Sequence, residues 1–462
     1  MKTTFRYLLF SLLILLSIDT MAQVNRWQDI YTARKKDTVF GIAQKYGLSV
    51  VDLMEANPEM KQVGYALKKG DTVFIPFKKQ TSNVASTSQN TQKKTSTNIE
   101  QPYNNKELAT NKCTIRIGVM LPLHDVDGDG RRMVEYYRGL LLACEDLKRQ
   151  GISTDISAWN VDINTDIHQT LIDDKAKRCN IIFGPLYSKQ VKPLGDFCKQ
   201  YGIKLVIPFS IEGNEVAVNP QIYQIYQPAD CLSNDAIRTF LEHFSHYHPV
   251  FIDCNDATSK KGDFTLALRK QLDARHIAYN ITNLKSTTDQ FTKAFSLSQP
   301  NILILNTARS PELNATLAKI NILKAVNPMV SIAMFGYTEW LMYTKVYNDY
   351  FYKYETYIPT VAFYNAQSLP IQQVEQRYKQ WFKEDMLYAL PRFALTGYDH
   401  AQFFCRGLHH FGKNFFGSKT ENDYTALQTP LHFKRIDKGG MQNQNFMLIH
   451  YKSNHSIECI SY

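Results

Sequence analysis

Short apolar runs alternate with amphipathic stretches from Cys113 onward, and this rhythm restricts the fold more than any other feature of the chain. Strands are predicted at residues 115–121, 155–161, 181–183, 204–207, 250–252, 301–305 and 330–335. A helix pattern from Tyr137 to Lys148 separates the first two strands. Such alternation is typical of parallel sheets covered by helices. We therefore expect an α/β domain over residues 113–462.

The first 22 residues have the layout of a cleavable secretory signal. Lys2 and Arg6 precede an apolar stretch from Tyr7 to Ile18, and the small residue Ala22 closes the segment. This stretch is too short for a stable transmembrane helix of ~20 residues. Cleavage after Ala22 predicts a mature chain in the periplasm, associated with the cell wall and without a membrane span. An uncleaved membrane anchor is the alternative.

Charge and cysteine content fit an exported globular chain. The 53 Lys and Arg residues against 43 Asp and Glu give a net charge of +10. This charge suits binding to an anionic polymer of the cell envelope. Because the chain is predicted to be exported, we expect no nucleic-acid partner. Eight cysteines in 462 residues do not make a disulfide scaffold. Cys144 and Cys405 lie in apolar helix-like runs, so we expect them to be buried thiols.

Residues 80–112 divide the chain. Ser, Thr, Asn, Gln and Lys dominate this segment and apolar residues nearly vanish from it. Such a composition cannot bury enough apolar surface to offset the entropy lost on ordering. The segment is predicted to be a flexible polar linker after a small module at residues 25–79.

The small module resembles a LysM domain, a βααβ unit that binds peptidoglycan. Residues 36–40 match the family's Gly-Asp-Thr-Leu-aromatic turn, with Lys36 where Gly is usual, and residues 67–76 match its closing strand. The resemblance implies that glycan chains containing N-acetylglucosamine bind between two loops. The implied glycan-binding residues are Asp37, Thr38, Val39, Phe40, Asn57, Pro58, Glu59 and Met60.

Two residues of this module are assigned structural roles. An Asp side chain can accept a hydrogen bond from the free N–H groups of a first helical turn, and Gly tolerates a left-handed helix exit. We therefore expect Asp37 to cap the first helix and Gly47 to end it. Gly at such turns often supplies a positive φ, and here Lys36 replaces it. The alternative is therefore a module that keeps the LysM fold but no longer binds glycan.

The large domain resembles type 1 periplasmic binding proteins, the fold of branched-chain amino-acid binding proteins and receptor ligand-binding domains. Five motifs occur in the family's order, at residues 117–123, 137–143, 181–188, 202–210 and 394–399. Gly139 is expected to let the first helix pack closely on the sheet.

The same resemblance implies two lobes joined by three chain crossings. The first lobe is expected at about residues 113–226 and 361–420, and the second at about residues 227–360 and 425–462. The crossings are then expected near Tyr226, Phe363 and Thr425.

A ligand cleft between the lobes is also implied, at the carboxyl ends of the strands. Its expected lining is Leu123, His124, Tyr187, Ser188, Phe209 and Ser210 on one side, with Tyr226, Asn255 and Tyr337 on the other. Ser188 and Ser210 are placed to receive a carboxylate at a helix N-terminus. Because Ile211 and Glu212 stand where amino-acid binders have a second hydroxyl, the expected ligand is a small polar molecule of open identity. An empty, purely structural cleft is the alternative.

No catalytic, metal or cofactor site is predicted. Residues 125–130 match the first half of a calcium-binding loop, but Tyr136 stands where the loop needs a bidentate Glu. His243, His246 and His248 lie close together in the sequence, but the Cys and His spacing matches no zinc module, and they are expected at a solvated helix end. GxSxG, HExxH and correctly ordered phosphate-loop motifs do not occur.

Three functions stay open on the sequence. The first is a wall-anchored solute-binding or sensing protein. The second is a regulatory scaffold for peptidoglycan synthesis, similar to the outer-membrane activators of peptidoglycan synthases, which binds a protein partner and no solute. The third is a wall hydrolase, which the missing catalytic motifs disfavour. The expected partners are peptidoglycan strands, a small polar ligand, and a cell-wall synthesis or transport protein. The aromatic-rich span 337–357 is either a partner surface or core.

Overall fold

The small module is built around one antiparallel strand pair with two helices between the strands. The computed structural model describes residues 29–35, 37–46, 48, 50–57, 60, 67–76, 114–209 and 212–462, so the predicted signal peptide and linker, Lys36 and Gly47 lie outside the described residues. The elements are β1 (Asp29–Thr32), α1 (Val39–Tyr46), α2 (Val50–Ala56) and β2 (Thr72–Ile75). Tyr31 pairs with Val73, and Ile42, Leu53 and Ile75 are buried in the core of the module. The predicted βααβ order is confirmed.

The first half of the large domain alternates strands and helices. Its elements are β3 (Ile115–Leu121), α3 (Gly128–Arg149), β4 (Thr154–Asn160), α4 (Ile167–Leu171), α5 (Asp174–Lys177), β5 (Ile181–Phe183), α6 (Val191–Tyr201), β6 (Lys204–Ile207), α7 (Glu215–Val218), β7 (Ile222–Gln224), α8 (Ala229–His243), β8 (His248–Asp253), α9 (Lys261–Ala274), β9 (Asn280–Asn283), α10 (Thr288–Thr292) and β10 (Asn301–Leu305).

The second half adds further helices and then a run of short strands. Its elements are α11 (Ser310–Val326), β11 (Ile332–Phe335), α12 (Thr344–Lys353), β12 (Thr356–Thr360), α13 (Leu369–Phe382), α14 (Phe393–Phe411), β13 (Phe433–Arg435), β14 (Met441–Asn443), β15 (Met447–Tyr451) and β16 (Ile457–Ser461). Short 3₁₀ turns lie at Ser188–Gln190, Thr338–Tyr343, Gly412–Asn414 and Lys419–Glu421. Among the described residues, no helix is both long and apolar enough to cross a membrane.

These elements form two seven-stranded sheets, one for each lobe. The order is β13-β14-β7-β6-β5-β3-β4 in the first lobe and β16-β15-β12-β11-β10-β8-β9 in the second. The strands from β3 to β7 and from β8 to β12 pair in parallel, and antiparallel pairs occur only where β13, β15 and β16 join an edge. The predicted two-lobed α/β fold is confirmed. All seven predicted strands occur within a residue or two of their expected bounds.

The chain passes between the two sheets three times. The first two passages follow β7 and β12 and contain Tyr226 and Phe363 respectively. The third passage lies at residues 444–446, so the expected crossing near Thr425 is wrong. The reason is that β13 and β14 extend the first sheet, with Met441 of β14 in parallel register with Tyr223 of β7.

Aromatic side chains fill much of the second lobe's core. Trp340 and Phe351 are fully buried and stack with their ring centroids 6.0 Å apart. Tyr347, Tyr352 and Tyr354 belong to the same buried cluster. The aromatic-rich span 337–357 is therefore mainly core. The seven described cysteines are free thiols, and Cys144 and Cys405 are buried as predicted.

Two glycines let α3 and α14 approach each other closely in the first lobe. A Cβ atom on Gly139 would collide with the carbonyl oxygen of Ala394, and one on Gly397 would collide with the carbonyl oxygen of Tyr136. Gly139 therefore serves contact between helices, which corrects the expected contact with the sheet. The pair joins a helix from the start of the domain to one that follows the second-lobe strands from β8 to β12.

Polar contacts at the next turns reinforce this helix pair. Asp146 of α3 accepts hydrogen bonds from the Tyr398 hydroxyl at 2.6 Å and from an Arg377 guanidinium nitrogen at 2.6 Å. One carboxylate thus connects α3, α13 and α14. Hydrogen bonds to an ionised group are stronger than neutral ones, and this group is largely shielded from water.

Two adjacent titratable residues of α14 are completely buried. Asp399 accepts hydrogen bonds from the Tyr424 hydroxyl at 2.7 Å and from the backbone N–H groups of Leu427, Gln428 and Thr429 at 2.8–2.9 Å. Burial raises the pKa of Asp399 to about 6 against the effect of these donors. On the neighbouring residue, His400 Nδ1 lies 2.9 Å from the Tyr136 hydroxyl, and burial lowers the pKa of this imidazole to about 3.

Replacing Gly139 with Ala should destabilise the protein by about 3 kcal/mol, because the added methyl group must displace the α14 backbone. Gly262 of α9 is the matched control, since a Cβ there has no heavy atom within 4 Å. Gly262→Ala should leave stability unchanged or raise it by up to ~1 kcal/mol. Urea unfolding followed by circular dichroism measures both variants. Equal stability of the two variants would contradict the close helix contact.

His400 should make the protein less stable as the pH falls from 6.5 towards 3. In the folded state the imidazole stays neutral until about pH 3, whereas in the unfolded chain it takes up a proton below about pH 6.5. Stability is therefore fully present above pH 6.5, and this group removes about 1.4 kcal/mol per pH unit between pH 6 and 4.

Urea unfolding at pH 6, 5 and 4 tests this contribution by comparing wild type with His400→Gln. The free energy of unfolding of the variant should fall less steeply with decreasing pH, and the difference in slope should be about 1.4 kcal/mol per pH unit, the value for one proton. Asp399 titrates in this range with the opposite sign, because its folded-state pKa is raised, but it is present in both proteins and cancels. Parallel stability curves would show that His400 is not buried as a neutral base.

Candidate functional site

The turn before α1 in the small module is held by Asp37, while the helix itself is capped by Thr38. The Asp37 carboxylate accepts hydrogen bonds from the Tyr31 hydroxyl and the Arg34 N–H, both at 2.7 Å. Its pKa is lowered, chiefly by the bond from Tyr31. The Thr38 hydroxyl oxygen accepts from the Gly41 N–H at 2.9 Å. The expected capping role of Asp37 is therefore wrong, because α1 begins at Val39 and Asp37 lies one residue too early.

The predicted glycan-binding residues differ in their access to solvent. Thr38 is exposed, and Val39 and Phe40 are half-buried. Asn57 is buried with its side-chain amide donating to the Leu53 carbonyl at 2.7 Å, and Met60 is buried in the core. Pro58 and Glu59 lie outside the described residues. The exposed side of this candidate site is therefore the turn over residues 37–40.

The first-lobe candidates are engaged with the start of α3. The N–H of Leu123 donates to Asn160 Oδ1 at 2.7 Å, and His124 packs against Gly130, where a Cβ would collide with it. The Tyr187 hydroxyl donates to Asp129 at 3.3 Å, and burial raises the pKa of Tyr187 to about 12. Ser188 opens the 3₁₀ turn that follows Tyr187.

The carboxylates of the calcium-like loop at residues 125–130 contact groups in the loop and in the first turn of α3. Asp127 caps α3 by accepting from the Gly130 N–H at 2.8 Å, and Asp129 pairs with Arg132. Asp125 lies 3.5 Å from Arg131 and is almost fully exposed. Among the described residues, no group of three His, Cys, Asp or Glu side chains is placed to hold a metal ion.

Phe209, an expected cleft residue, is the centre of an aromatic cluster in the first lobe. Its ring lies 5.5 Å from Tyr136, 5.5 Å from Phe393 and 6.2 Å from Tyr226. Tyr226 was expected on the second lobe's side, but its ring packs on the first lobe's Phe209. Tyr136 and Phe393 were missed in the sequence, because they come together only where α3 and α14 meet.

The second lobe ends its strands in polar side chains that hydrogen-bond with one another. Asp253 accepts from the Asn306 amide and from the backbone N–H of Asn255, both at 2.9 Å. Asn255 and Asn283 exchange side-chain bonds of 2.9 and 3.1 Å, and Asn255 has a φ of 57°. Thr307 donates to Asp256 at 2.8 Å. The expected ligand residue Asn255 is thus part of a network that pairs internally.

Tyr337 is placed in the core instead of at an open binding surface. It is buried, and its hydroxyl donates to the backbone carbonyl of Leu305. Burial raises the pKa of this hydroxyl well above its usual range. The charged groups beside it are Lys261 and Glu339, which pair at 2.8 Å, with the Lys261 ammonium 4.8 Å from the ring centroid of Tyr337.

A segment at residues 385–392, which we call the bridging segment, contacts both lobes. On the first lobe, the Leu387 N–H donates to the buried carboxylate of Glu135 at 2.9 Å. On the second lobe, the Tyr388 hydroxyl donates to the Met342 carbonyl at 3.3 Å, and Leu390 packs against the core. The Arg392 guanidinium lies 4.7 Å from the Tyr364 ring centroid and 4.9 Å from that of Tyr388.

The predicted cleft residues have different partners. Leu123 bonds to Asn160, His124 and Tyr187 contact the start of α3, Phe209 and Tyr226 lie in one aromatic cluster, and Asn255 and Tyr337 have their side-chain polar groups engaged within the second lobe. Ser210 lies outside the described residues. The bridging segment was also missed, because nothing in its sequence indicates that it reaches both lobes.

Comparison with known protein families identifies the small module. The sequence model of the LysM domain family matches residues 31–76. No curated protein sequence matches the chain.

Solved structures similar to the chain include three proteins of low sequence identity. A putative branched-chain amino acid ABC transporter protein from Rhodospirillum rubrum is 15% identical, with a TM-score of 0.49, over 75% of this chain and 100% of its own. A substrate-binding protein from Desulfitobacterium hafniense in complex with Leu is 13% identical, with a TM-score of 0.39, over 75% and 100%. LpoA from Haemophilus influenzae is 15% identical, with a TM-score of 0.48, over 76% and 59%.

The fold assignment depends on the topology itself. Two parallel sheets covered by helices and joined by three chain passages are the arrangement expected from the sequence motifs. Residues 31–76 are therefore a LysM domain, and the domain that follows is a two-lobed α/β domain with one mainly parallel sheet in each lobe.

Proposed function

We propose that this protein is a non-catalytic, wall-anchored scaffold of the bacterial envelope. In this proposal the LysM domain binds peptidoglycan strands that contain N-acetylglucosamine. The two-lobed domain presents a fixed surface to a protein partner of cell-wall synthesis or transport. It does not enclose a solute.

The observation that carries this proposal is the pairing of polar groups at the cleft edge of the second lobe. Asp253, Asn255, Asn283 and Asn306 satisfy one another, and the Tyr337 hydroxyl is bonded to the backbone. A site that binds a polar solute needs a few convergent polar groups that are available to the ligand. Because these groups already have partners, a solute would have to replace existing bonds instead of making new ones.

The first lobe supports the same conclusion. Its edge of the cleft holds the rings of Phe209, Tyr136, Phe393 and Tyr226 in mutual contact. Aromatic pairs at these separations add stability beyond the area that they bury. The expected cleft residues Phe209 and Tyr226 therefore pack against each other, and Phe209 also packs against the rings of Tyr136 and Phe393.

The bridging segment opposes the motion that solute binding would need. Closure of two lobes around a ligand is a hinge or shear movement, and a ligand drives it only through better contacts in the closed state. Leu387, Tyr388 and Leu390 tie the lobes together without a ligand. A fixed arrangement suits a scaffold that must offer one surface to a partner.

Binding to the wall should depend on residues 37–40, which form the turn before α1 and the first two residues of that helix. The mature chain should sediment with insoluble peptidoglycan, and Phe40→Ala should weaken binding by about tenfold, because an aromatic contact of this size contributes about 1.4 kcal/mol. Lys69→Ala, at an exposed turn elsewhere in the LysM domain, is the matched control. Sedimentation assays with quantified supernatants measure all three, after circular dichroism has shown that each is folded. Failure of the wild type to sediment would contradict the anchoring role, and equal binding by Phe40→Ala would exclude this turn.

The mature chain should contain no bound small molecule and should not be stabilised by solutes. Native mass spectrometry should find only the protein, and thermal unfolding with 1 mM leucine or isoleucine should match the unliganded protein. A true ligand at a hundredfold over its dissociation constant would add ~2.7 kcal/mol, which is readily seen as a shift in Tm. A shift that Ser188→Ala abolishes and the exposed control Ser298→Ala keeps would replace the scaffold by a solute-binding protein.

A further inference from the structure

Two exposed phenylalanines lie in one short stretch of the first lobe, at the end of α14 and in the loop that follows it. Phe411 and Phe416 are each 42% exposed, whereas every other phenylalanine whose burial is described is buried or half-buried. Single exposed apolar side chains are common on soluble proteins. The groups around these two rings therefore decide what the exposure means.

Exposed cations flank this stretch. Lys413 and Lys419 belong to the same loop, and Lys434 and Arg435 belong to β13, which is an edge strand of the first sheet. The loop runs beside β13, because the backbone N–H of residue 433 donates to the carbonyl of residue 417 at 2.8 Å. We call this surface the basic edge. Its residues are Phe411, Lys413, Phe416, Lys419, Lys434 and Arg435.

Contacts and a pKa shift show that charges from the loop and from the strand meet on one surface. The Arg435 guanidinium of β13 lies 5.3 Å from the ring centroid of Phe416 in the loop. The pKa of the His432 imidazole is lowered to about 4, first by burial and then by the charges of Lys419 and Lys434. The basic edge is therefore a region of positive potential with an aromatic ring inside it.

Phe416 is held in its exposed position by its neighbours. Its N–H donates to the Glu421 carboxylate at 3.3 Å. Phe415 before it is buried, and its carbonyl accepts a hydrogen bond of 2.7 Å from the buried ammonium of Lys204. Gly417 after it is buried and has a φ of 76°, a conformation that favours glycine. The backbone on both sides of Phe416 is therefore fixed, and the ring is presented to solvent instead of to the core.

The cations of the basic edge have no counterion within the described part of the chain, because none of them forms an ion pair there. Residues 411–438 contain three acids. Glu421 accepts from the Ser418 N–H at 2.9 Å, Asp423 lies 3.6 Å from Arg406, and Asp437 is exposed in the turn after β13. An anionic occupant would therefore gain contacts to the basic edge without breaking an existing ion pair.

The mixture of side chains indicates what this occupant is. Protein interfaces are depleted in Lys, yet three of the four cations here are Lys. A soluble polyanion would match the charges but leave both rings in water. An anionic membrane supplies phosphate groups and, just beneath them, an apolar layer that accepts aromatic rings.

We propose that the basic edge is a peripheral membrane-binding surface, which docks on anionic phospholipid headgroups and inserts Phe411 and Phe416 between them. The cations pair with the lipid phosphates, and the two rings leave water for the interface. This contact is separate from the proposed binding of the wall by the LysM domain, so either can fail without the other.

Flotation of the mature chain with phospholipid vesicles tests the proposal. Wild type should float with vesicles of phosphatidylglycerol and phosphatidylcholine in equal parts and should stay in solution with phosphatidylcholine alone. Each Lys or Arg near an anionic membrane strengthens binding roughly fivefold, so Lys413→Gln combined with Lys419→Gln should weaken it by about 25-fold. A wild type that does not float with the anionic vesicles would overturn the proposal.

The matched control removes two other exposed lysines. Lys270→Gln combined with Lys293→Gln lowers the net charge by the same amount, but both positions lie in the second lobe. This double variant should float like wild type, and circular dichroism should show that both double variants are folded. If the two double variants bind equally, binding follows net charge and not the basic edge, which contradicts the proposal.

Tryptophan fluorescence tests whether the ring enters the lipid. In anionic vesicles with brominated acyl chains, Phe416→Trp should be quenched, because an inserted indole would approach the bromine atoms. Leu297→Trp, at a position of the second lobe that is 73% exposed, should keep its emission. Subtracting the wild-type spectrum removes the contribution of the four native tryptophans. A vesicle-bound Phe416→Trp variant without quenching would mean that the surface recognises charge alone, as for a soluble polyanion, and the membrane assignment would be wrong.

Discussion

The close contact between α3 and α14 is the interaction on which the rest of the large domain depends. The first lobe is assembled from two stretches of chain that are separated by the second lobe. Gly139 and Gly397 let the two helices meet without intervening side chains, and Asp146 adds a shared anion for Arg377 and Tyr398. Because backbone-to-backbone packing leaves no room for an added methyl group, this contact constrains how α14 can lie against α3.

The geometry of the cleft follows from that contact. Phe393 begins α14 and Tyr136 lies on α3, so the aromatic cluster around Phe209 forms only when the helices are in place. The bridging segment ends at residue 392, where α14 begins, so the position of α14 constrains the end of this segment. Through Tyr388 and Leu390, the segment then connects the second lobe to the same anchor. The bridging segment thus adds contacts between the two lobes of the domain.

Buried polar groups in this domain serve the same purpose of fixing positions. Asp399 of α14 accepts hydrogen bonds from three backbone N–H groups and one tyrosine hydroxyl of the loop at residues 424–429. A buried carboxylate with four donors avoids the high cost of an unsatisfied polar group. The loop therefore remains with the first lobe, which explains why the chain crosses to the second lobe only after β14.

The sequence by itself determined the module order, the α/β class and the strands from β3 to β11 that were predicted, because hydrophobic periodicity and length are local properties of the chain. It also identified the LysM domain from closely spaced matches. It could not place β13 and β14 in the first sheet, since short polar edge strands have little periodicity and depend on the neighbour that they join. Nor could it decide which cleft residues were available to a ligand. Phe209, Asn255 and Tyr337 are close to strand ends as expected, but their partners Tyr136, Asn283 and Leu305 come from distant parts of the chain. Only the tertiary structure decides such pairings, because a hydrogen bond or ring contact requires two groups that the sequence separates to lie within a few ångströms of each other.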